Sequence, residues 1–367
     1  MQALILVGGE GTRLRPLTSG VPKPVVTLVD RPFMAYMLEW LHSHGVDRVV
    51  FSLGFLADSV RDVLGDGSEF DMELTYVEEP EPLGTGGAVK FAEHLLDDRF
   101  VMLNGDVLTD IDLSAQIDKH ERRGARATLA LVPVEDPTAY GLVRLNDDKS
   151  VSGFLEKPDP DEIDTNLINA GVYVLERDLL DRFQPGRPAS IERDLFPGLV
   201  GDGLYGVASH RSYWLDIGTP ERYLQGTFDI LERDVVTDAG ATLDGNHLRV
   251  DRDVENAGTI VPPAFVAAGC RISAGAQVGP RAVLGPGVEV GLGARIENAV
   301  VLDGARVGAH AVVDNAILAP GAVIGDHTRV ERGAVIGANV QVGDHNVVAN
   351  GARVFPGMTI PDRGILF

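Results

Sequence analysis

Apolar and polar positions change rhythm twice along this chain of 367 residues. It opens on a continuous apolar run, Ala3 to Val7, the mark of a strand buried on both faces. Between residues 30 and 45, Phe33, Met34, Met37, Leu38 and Leu41 share one side of a 3.6-residue turn. With Pro32 in the first turn and Gly45 at the close, they predict a helix whose stripe is core packing. Further strands are predicted at 46–53, 74–77 and 100–103, and helices at 57–64 and 86–96. Residues 78–82 read as a turn. Strand and helix therefore alternate, the pattern of a parallel sheet with helices on both faces. From residue 128 the rhythm shortens. Strands at 128–134, 142–145, 151–155, 168–175 and 204–209 read as a mixed extension of the same sheet. A helix over 220–232 follows, with Thr219 as cap, Pro220 at its first position, and Tyr223, Leu224, Thr227, Phe228 and Leu231 on one buried face. The first domain is expected to span 1–234.

The last third is a repeat. Val266, Ile272, Val278, Leu284, Val290 and Ile296 lie six apart. After a five-residue step come Val301, Val307 and Val313, and after another come Leu318, Ile324, Val330, Ile336, Val342, Val348, Val354 and Ile360. Glycine directly follows several of them, as at Gly279, Gly291, Gly308, Gly325, Gly337 and Gly343. This is the hexapeptide signature of a parallel β-helix, three short faces to a coil and coils stacked ~4.8 Å apart. The second domain is expected over 235–367.

Composition narrows the function. Hydrophobic residues make up 44% and charged residues 23%, so the chain is globular. A net charge of −22 argues against nucleic-acid binding and means that an anionic substrate needs local cations or a metal. Cys270 stands alone, which excludes an intramolecular disulfide and a cysteine zinc cluster and suits a reducing compartment. With no leader pattern before the first strand and no run of membrane-spanning length, a cytoplasmic protein free of membrane is expected.

The candidate chemistry begins where the first strand ends. Gly8, Gly9 and Gly11 provide a bend open to φ > 0, to close ligand approach and to exposed main-chain N–H groups. Arg13, Arg15 and Lys23 follow, so the segment reads as a polyphosphate site. It is neither a Walker A loop nor a dinucleotide fingerprint, since no Gly-Lys-Ser/Thr follows and Leu14 replaces the third glycine. The string GGEGTRLRPLT followed by PKP closely resembles the signature of the sugar-nucleotide pyrophosphorylases, nucleotidyltransferases acting on sugar 1-phosphates. LNGD, FLEKP, INAGVYVLE, YWLDIGTP and the hexapeptide tail follow in the order of that family.

The resemblance implies a Rossmann-like, mainly parallel α/β sheet followed by a left-handed β-helix. It implies attack by a sugar 1-phosphate oxygen on the α-phosphorus of a nucleoside triphosphate, with release of pyrophosphate. Arg13 then holds the departing pyrophosphate and Lys23 the α-phosphate or attacking phosphate, while Arg15 faces either solvent or ligand. Leu6, Gly8, Gly9, Gly11, Thr12, Gly84 and Thr85 are expected at the nucleotide, the last two in the base-recognition turn PLGTGGA. Gly141, Glu156, Lys157 and Asn169 are expected at the sugar phosphate, with Gly171 permitting close packing. Asp106, also in a catalytic role, and Asp216 are expected to hold Mg²⁺, whereas Asp110 and Asp112 read as helix-capping or surface groups. The pieces are most similar to mannose-1-phosphate guanylyltransferases, favouring GTP. Thymidylyl- and uridylyltransferases for glucose 1-phosphate share most of them.

Two readings of another class stand beside this one. His310, His327 and His345 suggest a hexapeptide-type acyltransferase using a histidine base, although no long loop interrupts the repeat. A non-catalytic regulatory subunit would show insertions or lost cations between Gly8 and Lys23, and neither is present. The flat faces of a β-helix suggest a homo-oligomer.

Overall fold

The computed structural model describes residues 1–156, 159, 161 and 163–365. Contacts divide the chain into two compact units, one of Met1–Glu10 with Met34–Leu215, the other of Gly11–Phe33 with the chain from Asp216 onward. The division thus runs through the glycine bend as well as just before the helix at 220.

In the first unit, β1 (Gln2–Val7), α1 (Phe33–Ser43), β2 (Arg48–Leu53), α2 (Ala57–Leu64) and β3 (Glu73–Glu78) are followed by α3 (Gly84–Ala92) and β4 (Arg99–Asn104). Next come β5 (Val107–Thr109), α4 (Leu113–Arg123), β6 (Ala127–Pro133), β7 (Gly141–Leu145), β8 (Val151–Glu156), β9 (Leu167–Glu176) and β10 (Leu204–Ala208). The main path of the sheet runs β8-β7-β9-β4-β1-β2-β3, and β6 pairs both β9 and β10. β1 lies parallel between β2 and β4, which explains its unbroken apolar sequence. β9 runs antiparallel to β4 and β6, and β7 to β8, so the extension is mixed as expected.

Two expectations shift. The helix expected from residue 30 starts at Phe33, because Arg31–Pro32 instead pairs antiparallel with Thr27–Leu28. Arg31 and Arg249 each hold the carboxylate of Asp30, between those two strands, at 2.9 Å. The helix expected from residue 86 starts at Gly84 and tightens to a 3-10 turn over Glu93–Leu95. Helix α4 carries no apolar stripe in the sequence, since its buried residues are Leu113, Gln116 and His120. Gln116 Nε2 donates to the carbonyls of Thr128 and Val172. The His120 ring bonds Thr128 Oγ1 and Glu176 Oε1.

In the second unit, all seventeen aliphatic positions of the repeat lie in one buried column. Each coil contributes three short strands, parallel to their equivalents above and below, as in a left-handed β-helix. Val266, Leu284, Val301, Leu318, Ile336 and Val354 form one inward ladder. Where the spacing drops to five, two short strands fuse into one, Arg295–Val301 and again Val312–Leu318, with Asn298 and Asn315 taking positive φ at the bend. Helix α5 (Pro220–Glu232) is capped by Thr219 and packs on those two strands. Its fully buried Tyr223 donates to Thr27 O at 2.6 Å. Phe228, expected in that face, is half-buried and lines a cavity of about 180 Å³ with Leu224, Ile317 and Ala334.

Candidate active site

In the first unit, the ends of β1 and β4 are locked together. Gly105 N donates to Leu6 O at 3.0 Å. A Cβ on Gly105 would stand 2.4 Å from Val7 Cγ1 and 2.7 Å from Leu6 O, so only glycine fits that turn. Asp106 therefore follows at the carboxyl edge of the two central strands, half-buried, where ligands sit in open α/β sheets. Gly8 is set by a second close approach: a Cβ on Gly54 would stand 2.7 Å from Gly8 O. Neither Gly8 nor Gly9 takes positive φ, contrary to expectation; of the three loop glycines only Gly11 does. Gly9 is exposed, with nothing within 4 Å of where its Cβ would be.

Two carboxylates that the sequence did not single out brace this unit. Glu79 accepts from Ser52 Oγ at 2.8 Å and from Leu83 N at 3.2 Å, and its Oε1 lies 3.5 Å from a Cβ placed on Gly8. It thus ties the turn before α3 to the first glycine of the bend. Glu192 accepts from Thr85 Oγ1 and Ser190 Oγ, both at 2.8 Å, and from Tyr173 OH at 3.4 Å. Thr85 also accepts Ile191 N, so its hydroxyl works within the fold. Tyr173 OH in turn accepts from Asn169 Nδ2 at 2.7 Å. Two expected ligand residues, Thr85 and Asn169, are therefore joined through Glu192. Gly171 has φ 72°, and a Cβ there would stand 2.8 Å from Asn104 Nδ2, which bears out the close packing expected of it. Gly141 is buried at the start of β7, opposite Glu156 in β8. Lys157 and the side chain of Glu156 lie outside the described residues. Trp214 Nε1 donates to Ala170 O, and its ring meets Tyr140 edge-on at 5.4 Å. Asp112 caps α4 through Ala115 N. Asp110 is not a surface group: it accepts Tyr213 N at 2.7 Å.

In the second unit the bend closes on itself. Gly11, with φ 61°, opens a 3-10 turn over Thr12–Leu14. A Cβ on it would stand 3.3 Å from both Lys23 Cβ and Thr18 Cγ2, and Thr18 Oγ1 donates to Gly11 O at 2.8 Å. Lys23 is thereby held beside Gly11. Arg13 and Asp216 both lie beside Gly218: a Cβ there would stand 3.1 Å from Arg13 Nη2 and 3.2 Å from Asp216 Oδ2. Asp216 Oδ1 pairs with Arg222 at 2.6 Å. The second unit thus gathers Gly11, Thr12, Arg13, Lys23 and Asp216, two cations and a carboxylate around one backbone bend.

The nucleotidyl transferase family model matches residues 2–233, well over half the chain. The chain belongs to the nucleotidyl transferase family. Residues 260–363 of this transferase match the GMPPB C-terminal domain. A mannose-1-phosphate guanylyltransferase of Mycobacterium tuberculosis is 37% identical over 307 residues, 83% of this chain and 80% of the relative. A probable mannose-1-phosphate guanylyltransferase 1 of Oryza sativa is 34% identical, over 82% of this chain and 91% of the relative. A UTP–glucose-1-phosphate uridylyltransferase of Synechocystis is 34% identical over 64% of each chain. Among solved structures, HddC from Yersinia pseudotuberculosis complexed with GMP-PN aligns with TM-score 0.53 and 30% identity, covering 62% of this chain and 97% of that one.

The histidines of the transferase's β-helix form a column. His310 stacks on His327 with centroids 5.1 Å apart, and His327 on His345 at 5.0 Å. All three occupy left-handed corners with φ 57°. Both faces of His327 are covered by its neighbours, which suits a ladder more than a base set in a cleft.

Proposed function

We propose that the enzyme transfers a guanylyl group from GTP to mannose 1-phosphate, forming GDP-mannose and releasing pyrophosphate. The observation that carries this reading is the likeness to the Mycobacterium tuberculosis guanylyltransferase along 83% of the chain. A sugar-phosphate oxygen attacks the α-phosphorus, one P–O bond forms, and the bond to the β-phosphate breaks. Both reactants are anions on a chain of net charge −22, so the fixed cations of the loop do much of the work. Arg13 grips the departing pyrophosphate through its planar fork, and Lys23 places a compact charge on the α-phosphate. Main-chain N–H groups of Gly8, Gly9, Gly11 and Thr12 receive phosphate oxygens, and Leu6 borders the nucleotide. The backbone at Gly84 and Thr85 faces the base; Gly141, Glu156, Lys157 and Asn169 serve the sugar phosphate.

Asp106 and Asp216 are the residues we assign to Mg²⁺. Two hard carboxylates suit that ion; Asp216 Oδ1 pairs with Arg222 at 2.6 Å, and its Oδ2 lies beside Gly218. A bound Mg²⁺ would neutralise charge on the triphosphate. We also take the enzyme to be a cytoplasmic homo-oligomer. Its single cysteine and flat repeat faces support that, and among the described residues no helix is long and apolar enough to cross a membrane.

Pyrophosphate release, screened over four nucleoside triphosphates and the 1-phosphates of mannose, glucose, glucosamine and a heptose, tests the reading. GTP with mannose 1-phosphate is expected to give the highest kcat/KM. A preference for UTP with glucose 1-phosphate overturns it in favour of the activity in the Synechocystis relative's name, and a preference for dTTP with glucose 1-phosphate overturns it in favour of a thymidylyltransferase.

A further inference from the structure

Arg353 lies on the short strand Arg353–Val354, near the end of the β-helix. Val354 points into the apolar column, so its neighbour Arg353 points out. Its Nη1 donates to Arg13 O at 2.7 Å and to Arg15 O at 2.8 Å. A guanidinium Nη carries two hydrogens, so one nitrogen satisfies both carbonyls. The internal turns of the loop use a different set of carbonyls. Gly11 O accepts Leu14 N, Thr12 O accepts Arg15 N, Leu14 O accepts Leu17 N, and Pro16 O accepts Ser19 N. Arg353 therefore takes two carbonyls interleaved with those that hold the turns. Glu221, in the first turn of α5, neighbours it: its carboxyl is held below the usual range by a hydrogen bond from Thr219 and, less, by the charge of Arg353.

We propose that Arg353 is a positioning residue for the phosphate loop. By fixing the peptides that follow Arg13 and Arg15, it fixes the direction from which the Arg13 side chain leaves the backbone. The β-helix is then part of the triphosphate site through one side chain, and a change confined to its coils reaches catalysis by that route. This rests on the reading that the loop between Gly8 and Lys23 binds the triphosphate.

Arg353→Met keeps the aliphatic stem and removes the donors. Losing two charge-assisted bonds from an exposed guanidinium is expected to raise KM for GTP, and for pyrophosphate in the reverse direction, about tenfold. KM for the sugar phosphate stays within about twofold, because the loop and not the sugar pocket has moved. Arg353→Lys, which keeps a charged donor, recovers at least half of the loss on a logarithmic scale. Amide hydrogen exchange of the ligand-free full chain gives a readout that needs no substrate: Leu14, Arg15 and Leu17 exchange several-fold faster in the Met variant. Unchanged exchange at these three amides overturns the proposal. So does an equal rise in all three KM values, or a Lys variant no better than Met. Should the wild type lack guanylyltransfer activity, the functional reading fails, while the exchange measurement still decides whether Arg353 holds the loop.

Discussion

Gly9→Ala separates what the fold requires from what the ligand requires. Gly9 is exposed, lies outside the left-handed region and has nothing within 4 Å of an added methyl. The fold therefore has no use for glycine there. Such a substitution restricts the unfolded chain and is expected to raise stability by about 0.4–1 kcal/mol. Catalysis should move the other way. If a phosphate oxygen rests against this main chain, the methyl pushes it off and loses a hydrogen bond to a charged acceptor, about 1.5–3 kcal/mol. That corresponds to about a ten- to hundredfold fall in kcat/KM for the triphosphate. The assay pairs urea unfolding with pyrophosphate release at varied GTP. Stability at or above wild type with a raised KM for GTP is the expected result. A variant as active as wild type shows that no ligand approaches Gly9, and the account of the loop as a phosphate cradle is then wrong at this residue. A destabilised variant refutes the steric argument itself.

Gly105→Ala inverts that pattern. Its methyl would meet Val7 Cγ1 at 2.4 Å and Leu6 O at 2.7 Å, so β1 and β4 must part at their ends and the Gly105–Leu6 bond is lost. A cost of about 2–4 kcal/mol in unfolding free energy is expected, and with Asp106 displaced by the order of an ångström, about a hundredfold loss of kcat; stability within experimental error of wild type counts against it. His120 makes the fold pH-sensitive. Burial lowers its pKa from 6.5, outweighing its bond to Glu176, and the charge of Arg99 lowers it further. Its neutral form is the folded form, so this contribution is complete above pH 6.5 and is lost as pH falls below it, at up to about 1.4 kcal/mol per pH unit. Unfolding free energies of wild type and His120→Gln between pH 7.5 and 5.5 isolate the effect, and equal slopes in the two proteins refute it.

How much of this was legible in the sequence depends on how local its cause is. The β-helix was readable to the residue because every coil obeys the same rule, and even the two five-residue steps have a structural counterpart in the fused strands at Arg295–Val301 and Val312–Leu318. The first unit was readable where strands are apolar throughout. It was not at α4, where Gln116 and His120 fill core positions by hydrogen bonding and leave no stripe to detect. Glu192 escaped for a related reason. Its partners Thr85, Tyr173 and Ser190 come from three separate segments, and only the folded chain shows that one carboxylate joins them.

The loop is the case where local reading stops short in a way that bears on function. Its glycines and cations are legible as chemistry, and the turn carbonyls bonded within residues 11–19 follow from its own sequence. Nothing near Arg13 in the sequence indicates that residues 11–33 cluster with the chain beyond Asp216, or that Tyr223 and Arg353 reach the carbonyls of Thr27, Arg13 and Arg15. A short segment rich in glycine and proline cannot bury enough of its own surface to hold one conformation. It takes its rigidity from whatever satisfies its remaining carbonyls, here a fully buried tyrosine on α5 and an arginine on the β-helix. Electrostatic stabilisation of a departing pyrophosphate depends on donors held in place before the reaction begins. On the proposed reading of the loop as the triphosphate site, the repeat domain supplies part of that hold through Arg353, which gives the last third of the sequence a physical reason to accompany the first.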